Sequence, residues 1–466
     1  MRAMGSRVAA VILALFFLAS NLYIGSKRLL WFDEINTLEI AQLPDVATLW
    51  QVQNSFRGDS PPITYHLIVR LIYHLTGKAE IAVRLLSALA MSAALLVVFD
   101  CTRRLSDGAY GLLGMCVLAS SFLDHYGYEG RPYALVVLFT SIALWMWLYT
   151  KDTVPAAVAF GVTVFLAVTV QFTAVLGLVP FGVWELWHWR PWKRLSSKLL
   201  ASVVAVLCAV GVCAPQMKHS SGWSAFSWCP PSLHALILVF SEIFPMGLVV
   251  LTAFVILVCF ARTVAAPMGD SERLCWLFLT IPFAGFVLAE AVTNAFYNRY
   301  LITVLPGVAV AFACLVSRYL AKPASMAFLL LLVCLAAGRQ VSQTRHAEII
   351  EPPTGKMQLH TREAMAAEAG IVADGKKTVI TDFVLSKAAR YYSKRPDLYV
   401  MYGPDDAPPF CKYFGSACWN LDSVKEHAKD LAVLYPSDKF LTDIAQVGLE
   451  ATVKRTNPTV VYLSPR

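Results

Sequence analysis

The chain has 466 residues, 57% of them hydrophobic and 15% charged, with a formal net charge of +8 and a mean hydropathy of +0.58. Soluble domains carry roughly 25% charged residues, so this composition excludes a soluble globular protein and indicates an integral membrane protein whose first partner is the lipid bilayer. The positive charge then bears on topology, because cytoplasmic loops collect Lys and Arg, and it gives no ground for a nucleic-acid partner.

Residues 8–25 form the first apolar run, preceded by Arg2 and Arg7. The run is long for a signal peptide and no small-x-small cleavage site is evident before Lys27-Arg28, so it reads as a retained helix with a cytoplasmic N-terminus. Just past it stands Trp31-Phe32-Asp33-Glu34-Ile35-Asn36-Thr37, two adjacent carboxylates heading a segment with helical periodicity. Acids at a membrane surface are costly to bury and are often kept for chemistry. Acids also favour helix starts, so capping by Asp33 or Glu34 stands beside the catalytic reading. Residues 37–53 form a weaker surface-helix candidate. Over residues 61–77, His66, Arg70 and His74 recur at i, i+4, i+8 opposite Ile63, Leu67, Leu71 and Leu75, with Tyr65 and Tyr73 beside the stripe. Begun by Pro61-Pro62, that pattern predicts an amphipathic helix lying in the interface rather than a span.

With 61–77 outside the count, residues 84–100 run inward. The runs near 110–124, 131–150, 154–172, 173–189, 199–216, 234–260, 274–293, 300–317 and 324–338 then alternate. Arg103-Arg104, Lys151, the Arg190/Lys193/Arg194/Lys198 cluster, Arg262 with Arg273, and Arg318 with Lys322 all fall on the cytoplasmic side, as the positive-inside bias asks. The expected fold class is an all-α polytopic membrane protein of about eleven transmembrane helices over residues 1–340. Its first extracytoplasmic loop, 26–83, carries the interfacial helices. A small extracytoplasmic α/β domain follows over 341–466, with strands near 379–380, 398–401 and 431–434 and helices at 383–393 and 437–446. It holds no glycine-rich nucleotide loop. Most of the eleven Cys lie in apolar runs as small hydrophobes, whereas Cys411 and Cys418 in the polar tail are expected to pair in an oxidising compartment.

This topology gathers four polar sites on the outer face: Asp33-Glu34, Asp59 before Pro61-Pro62, the stretch from His125 through Glu129 and Arg131 to Tyr133, and Asn298-Arg299-Tyr300. Each alone has a structural reading. Asp59 can be a turn residue, Glu129 and Arg131 can pair across a loop, and Arg299 can snorkel to headgroups. Together, with Arg131 and Arg299 at helix starts, they suit an anionic ligand, since guanidinium binds phosphate bidentately and a helix N-terminus adds a favourable dipole. Trp184, Trp187, Trp189 and Trp192 beside Arg190 read as an aromatic belt that includes Glu185. Glu242 and Glu290 lie near the outer ends of their spans as candidates for lining a cavity, and His125 reads first as a solvated loop histidine.

These motifs resemble the membrane glycosyltransferases of the C-type fold, especially bacterial relatives of protein O-mannosyltransferases and lipid A aminoarabinose transferase. The matching pieces are Trp31-Phe32-Asp33-Glu34, Asp59-Ser60-Pro61-Pro62, Glu80-Ile81-Ala82-Val83-Arg84-Leu85-Leu86-Ser87-Ala88, Glu129-Gly130-Arg131-Pro132-Tyr133-Ala134, and Asn298-Arg299-Tyr300-Leu301 before Leu305-Pro306. The resemblance covers residues 8–340, and Ser60 departs from it, standing where many relatives have His or Lys. It implies a sugar donor linked through phosphate to a polyprenyl lipid, transfer with inversion on the extracytoplasmic face, and residence in a bacterial inner (plasma) membrane. The acceptor hydroxyl, on a lipid, glycan or protein, is left open.

The residues fit that chemistry. Asp33 is the expected general base with Glu34 beside it, and Arg131 and Arg299 are expected to stabilise charge on the departing phosphate. Asp59, Glu129, Tyr133 and Tyr300 are expected substrate contacts. Glu34, Asp59 and Glu129 are also the candidates for holding a divalent cation, which the chemistry permits without requiring. The rival reading is a lipid-linked-sugar flippase or transporter, in which the charges line a pathway. No internal repeat is evident, and the charges gather at one rim, which favours the enzyme. A non-catalytic scaffold gives no reason for such a rim.

Overall fold

A computed structural model describes residues 2–55, 59–188, 195–220, 227, 229–261, 267–351, 357–381, 383–393, 399–403, 418–456 and 459–465. The chain divides into two compact units. One is helical, of Met1–Ser26 and Ser60–Arg345; the other combines Lys27–Asp59 with His346–Arg466. The loop grouped at 26–83 with the membrane helices therefore splits after Asp59, and its first half folds with the tail.

Among the described residues of the helical unit, six helices are long and apolar enough to cross a bilayer: Met4–Lys27, Ala79–Leu105, Ser197–Lys218, Asp270–Thr293, Asn298–Tyr319 and Lys322–Arg345. Leu233–Ile243 and Gly247–Phe260 make a seventh if the 69° bend between them lies within one span. Gly108–Ala119, Tyr133–Tyr149, Val154–Val170 and Phe172–Trp187 are apolar helices of 10–17 residues, shorter than the ~20 residues that cross the hydrocarbon core unaided. Among the described residues each apolar run read from the sequence is thus largely helical, but six or seven helices have spanning length on their own. Small residues let these helices approach: a Cβ on Gly114 would meet Thr102 Oγ1 at 2.6 Å, and one on Gly161 would meet the Ala201 carbonyl oxygen at 3.1 Å.

The Ala79–Leu105 helix gives this unit its polarity. At its C-terminal end Asp100 pairs with Arg103 and Arg104 and accepts from Trp145 Nε1 at 2.8 Å. Ser106 there meets Ser317 at 3.4 Å, Lys322 pairs with Asp107 at 3.1 Å, and Arg318 pairs with Glu272. The basic residues assigned to one side thus collect at one end of the unit. Arg190, Lys193, Arg194 and Arg262 lie outside the described residues.

The expected interfacial helix is Ile63–Thr76, preceded by Pro61-Pro62 and ended by Gly77 at φ 65°. Its polar stripe is buried at the start of the helix and exposed at its end. His66 is buried with Ile63, Tyr65 and Val69, while His74 is exposed and Leu71 and Leu75 are left outside, where lipid would cover them.

The second unit is built on a six-stranded sheet of order β3-β2-β1-β4-β6-β5, with β1 Lys377–Ile380, β2 Tyr399–Tyr402, β3 Cys418–Trp419, β4 Leu431–Leu434, β5 Leu449–Thr456 and β6 Thr459–Pro465. The first four strands in that order run parallel, and β6 and β5 close the sheet as an antiparallel pair. Side chains alternate between two cores, Val379, Val433 and Phe440 on one face and Ile380, Leu385 and Leu434 on the other. The expected helices appear at Phe383–Tyr392 and Asp438–Gln446. Cys418 is disulfide-bonded; Cys411, its expected partner, lies outside the described residues.

Candidate active site

Each unit carries one group of the expected site residues. In the helical unit the group forms at the N-terminal end of the Ala79–Leu105 helix, opposite the basic end. There Arg84 donates to the Gly25 carbonyl, a cation at the negative end of the first helix. The turn after the short Leu123–Tyr128 helix passes directly against this region: a Cβ on Gly130 would lie 1.9 Å from Val83 Cγ1 and 3.0 Å from the Val83 carbonyl oxygen. The Arg131 carbonyl accepts from Ser87 Oγ at 3.0 Å, and its N–H donates to the Glu129 carbonyl at 2.8 Å. Its guanidinium donates to Ser60 Oγ at 2.9 Å, so the residue that departs from the family pattern is a partner of the arginine. Both Glu129 and Arg131 are 1% exposed.

Arg299 enters this group from the Asn298–Val304 turn. Its guanidinium lies over the rings of Tyr133, Tyr297 and Tyr300 at 5.9, 5.4 and 5.5 Å, within cation–π range. Buried Tyr126 packs on Tyr133 with ring centroids 4.5 Å apart and senses the charges of both Glu129 and Arg299. Glu129, Arg131, Tyr133, Arg299 and Tyr300 are thus brought together at one end of the helical unit. His125 is half-buried rather than solvated, its Nδ1 2.6 Å from the Tyr128 hydroxyl and its ring against Phe122.

Reading the sequence missed Asp124. This buried carboxylate pairs with Arg339 and accepts from Gln343 Nε2 at 2.9 Å, while neighbouring Gln340 donates to Asn21 at 2.8 Å. The available signal was the polar stripe Arg339, Gln340, Gln343 at helical spacing just past the last apolar run, in the Lys322–Arg345 helix. Glu242 and Glu290 are exposed, and Glu242 contributes to the field at Tyr297. Of the aromatic belt, Glu185 is buried and Trp187 exposed; Trp189 and Trp192 lie outside the described residues.

In the second unit the group centres on the Phe32–Ala41 helix. Glu34 Oε2 accepts from the Trp31 N–H at 3.3 Å, and the residue is wholly buried, so Glu34 caps its own helix. Asp33 is half-buried at the first turn. Thr37 Oγ1 reaches the Asp33 carbonyl at 3.0 Å and donates to Asp59 Oδ2 at 2.8 Å. Gln53 grips the Asp59 backbone from both sides, Nε2 to its carbonyl at 2.8 Å and Oε1 from its N–H at 3.3 Å. Asp33, Glu34 and Asp59 are therefore brought together. Among the described residues no group of three or more His, Cys, Asp or Glu assembles that could hold a metal ion. Glu34 is turned to the Trp31 backbone and Asp59 to Thr37.

Residues 59–214 match the family model for dolichyl-phosphate-mannose-protein mannosyltransferases. No curated protein matches the sequence. The fold is similar to that of ArnT from Cupriavidus metallidurans in the apo state, with TM-score 0.62 and 14% identity over 99% of this chain and 98% of that one. It is equally similar to ArnT bound to undecaprenyl phosphate, with TM-score 0.61, 14% identity and the same coverage. The chain has the fold of the C-type membrane glycosyltransferases. A looser likeness is to the Archaeoglobus fulgidus oligosaccharyltransferase, with TM-score 0.42 and 10% identity over 82% of this chain and 64% of that one. The mannosyltransferase match takes in Asp59, Arg84, Glu129, Arg131 and Tyr133 but neither Asp33 nor Arg299, so those two assignments rest on their own chemistry.

Proposed function

We propose that the protein is an integral-membrane glycosyltransferase that moves a sugar from a polyprenyl-phosphate carrier to an acceptor hydroxyl on the extracytoplasmic face, with inversion. The observation that carries this reading is the cluster of two arginines, an acid and tyrosines at one end of a helical unit with this fold. A carrier phosphate matches that cluster, and undecaprenyl phosphate on ArnT supports the choice of donor. Asp33 takes the proton of the acceptor hydroxyl as its oxygen bonds to the anomeric carbon. The bond from that carbon to the phosphate oxygen breaks, and the lipid phosphate leaves as an anion stabilised by Arg131 and Arg299. Glu129, Tyr133, Tyr300 and Asp59 orient the sugar, and no step requires a metal. The reading includes about eleven crossings in a bacterial inner membrane, a cytoplasmic N-terminus and an extracytoplasmic tail, supported by the single-ended basic residues.

Purified protein in detergent, given a labelled polyprenyl-phosphate sugar, is expected to release the sugar from its carrier. Asp33→Asn should lower kcat by at least about 100-fold with donor binding retained, whereas Arg131→Met and Arg299→Met should weaken donor binding. Near-normal turnover by folded Asp33→Asn would remove the base assignment. Lipid movement across vesicles without sugar release would favour the flippase, for which the bend between Leu233–Ile243 and Gly247–Phe260 is the supporting feature.

A further inference from the structure

Asp33 and Asp59 lie in the Lys27–Asp59 segment, but the groups that fix this segment come from the tail. Gln358 closes a two-bond clamp on Leu29, accepting its N–H at 3.0 Å and donating to its carbonyl at 2.8 Å. The Leu30 N–H donates to the Tyr392 hydroxyl at 2.5 Å. Lys387, on the Phe383–Tyr392 helix and 8% exposed, pairs with Glu39 at 2.6 Å and lies 5.7 Å from the Phe32 ring centroid. Thr37, on the same helix as Phe32 and Glu39, holds the Asp59 carboxylate at 2.8 Å. Phe32 and Glu39 are seven residues apart, two helical turns on one face, so one buried ammonium bridges both ends of the helix that carries Asp33.

We propose that Lys387 is a positioning residue that sets the rotation of the Phe32–Ala41 helix on the tail and so aims Asp33 and steadies Asp59. The inference rests on the reading of Asp33 as the base. The physical reason is register. A desolvated ammonium must be paired, and a one-residue slip of the helix turns every side chain by about 100°, which would strand the charge. Packing alone tolerates several rotations; a buried ammonium paired with a carboxylate at the exposed edge of the helix favours one. Gln358 and Tyr392 hold the approach to the helix, and Lys387 holds the helix itself.

The test compares the full-length protein in detergent with Lys387→Met, which keeps the length of the side chain and removes its charge. Hydrogen exchange of the amides of residues 35–41 is expected to quicken by about tenfold while protection of β1 and β4 is unchanged. The kcat for sugar transfer is expected to fall by roughly 10–100-fold with little change in donor KM. Lys387→Arg should restore most of both. Unchanged exchange and kcat in Lys387→Met would overturn the proposal. Should β1 and β4 also lose protection, Glu39→Gln, altered at an exposed side chain, decides: a smaller quickening over 35–41 supports the proposal, and none overturns it. If the wild-type protein transfers no sugar, the functional reading fails, and the exchange comparison alone still decides the positioning role.

Discussion

At Gly130 the backbone passes so close to Val83 that a single methyl group has no room, and the nearest atoms include a main-chain oxygen that cannot swing aside. Gly130→Ala is therefore expected to push the 129–131 turn off the Ala79–Leu105 helix, costing about 1–3 kcal/mol of stability. Because Arg131 is the next residue, sugar transfer should fall by on the order of 100-fold. Thermal unfolding and kcat in the same preparation check both. The adjacent acids should separate in the same way. Glu34 is committed to the Trp31 N–H, so Glu34→Ala should cost about 1 kcal/mol as a lost cap. Asp33→Asn should instead lower kcat by at least about 100-fold at nearly unchanged stability. The sequence marked both acids as one motif, because adjacency cannot say which of two neighbours points back along the helix. That choice belongs to the backbone geometry of the first turn.

Helices and strands with a clear repeat were legible element by element. The parallel strands β1, β2 and β4 and the helices Phe383–Tyr392 and Asp438–Gln446 stand where their patterns predict. The β5–β6 pair was not, because Leu449–Thr456 is mostly exposed and polar, and its partner strand stabilises it more than its own pattern does. The Ile63–Thr76 helix stands where its pattern predicts, whereas the burial of His66 depends on which helices pack against it. Two tyrosines in the second unit give an element-scale prediction. Burial, then the hydrogen bond to Glu368, raises the Tyr399 phenol above its ordinary range, and burial with Glu363 does the same for Tyr435. A folded-state pKa above the unfolded value of about 10 means that this stability is complete below pH 10 and is lost as pH rises beyond it. Unfolding followed from pH 8 to 11 should show that decline, and Tyr399→Phe should flatten it while costing about 1 kcal/mol at pH 8.

The division after Asp59 is the main result at the scale of the whole molecule. A linear reading gives the Lys27–Asp59 segment to the membrane helices around it, whereas its hydrogen bonds to Gln358 and Tyr392 and the Lys387 ion pair give it to the tail. Topology is testable at this scale. Reporters fused after Arg104 and after Tyr319 should read as cytoplasmic and one fused after Arg345 as extracytoplasmic; the reverse pattern would overturn the proposed orientation. By itself, the sequence determined the membrane class, the helical runs, the bias of basic residues and the acids and arginines worth testing, because hydropathy and charge are summed along the chain and need no partner. Only the tertiary structure decided that Glu34 caps a helix, that Asp124 binds Arg339, that Arg299 sits among tyrosines and that the tail grips the Asp33 segment. Those contacts join residues as far apart as Leu29 and Gln358, and local pattern carries no information about which distant side chain will fill a given space.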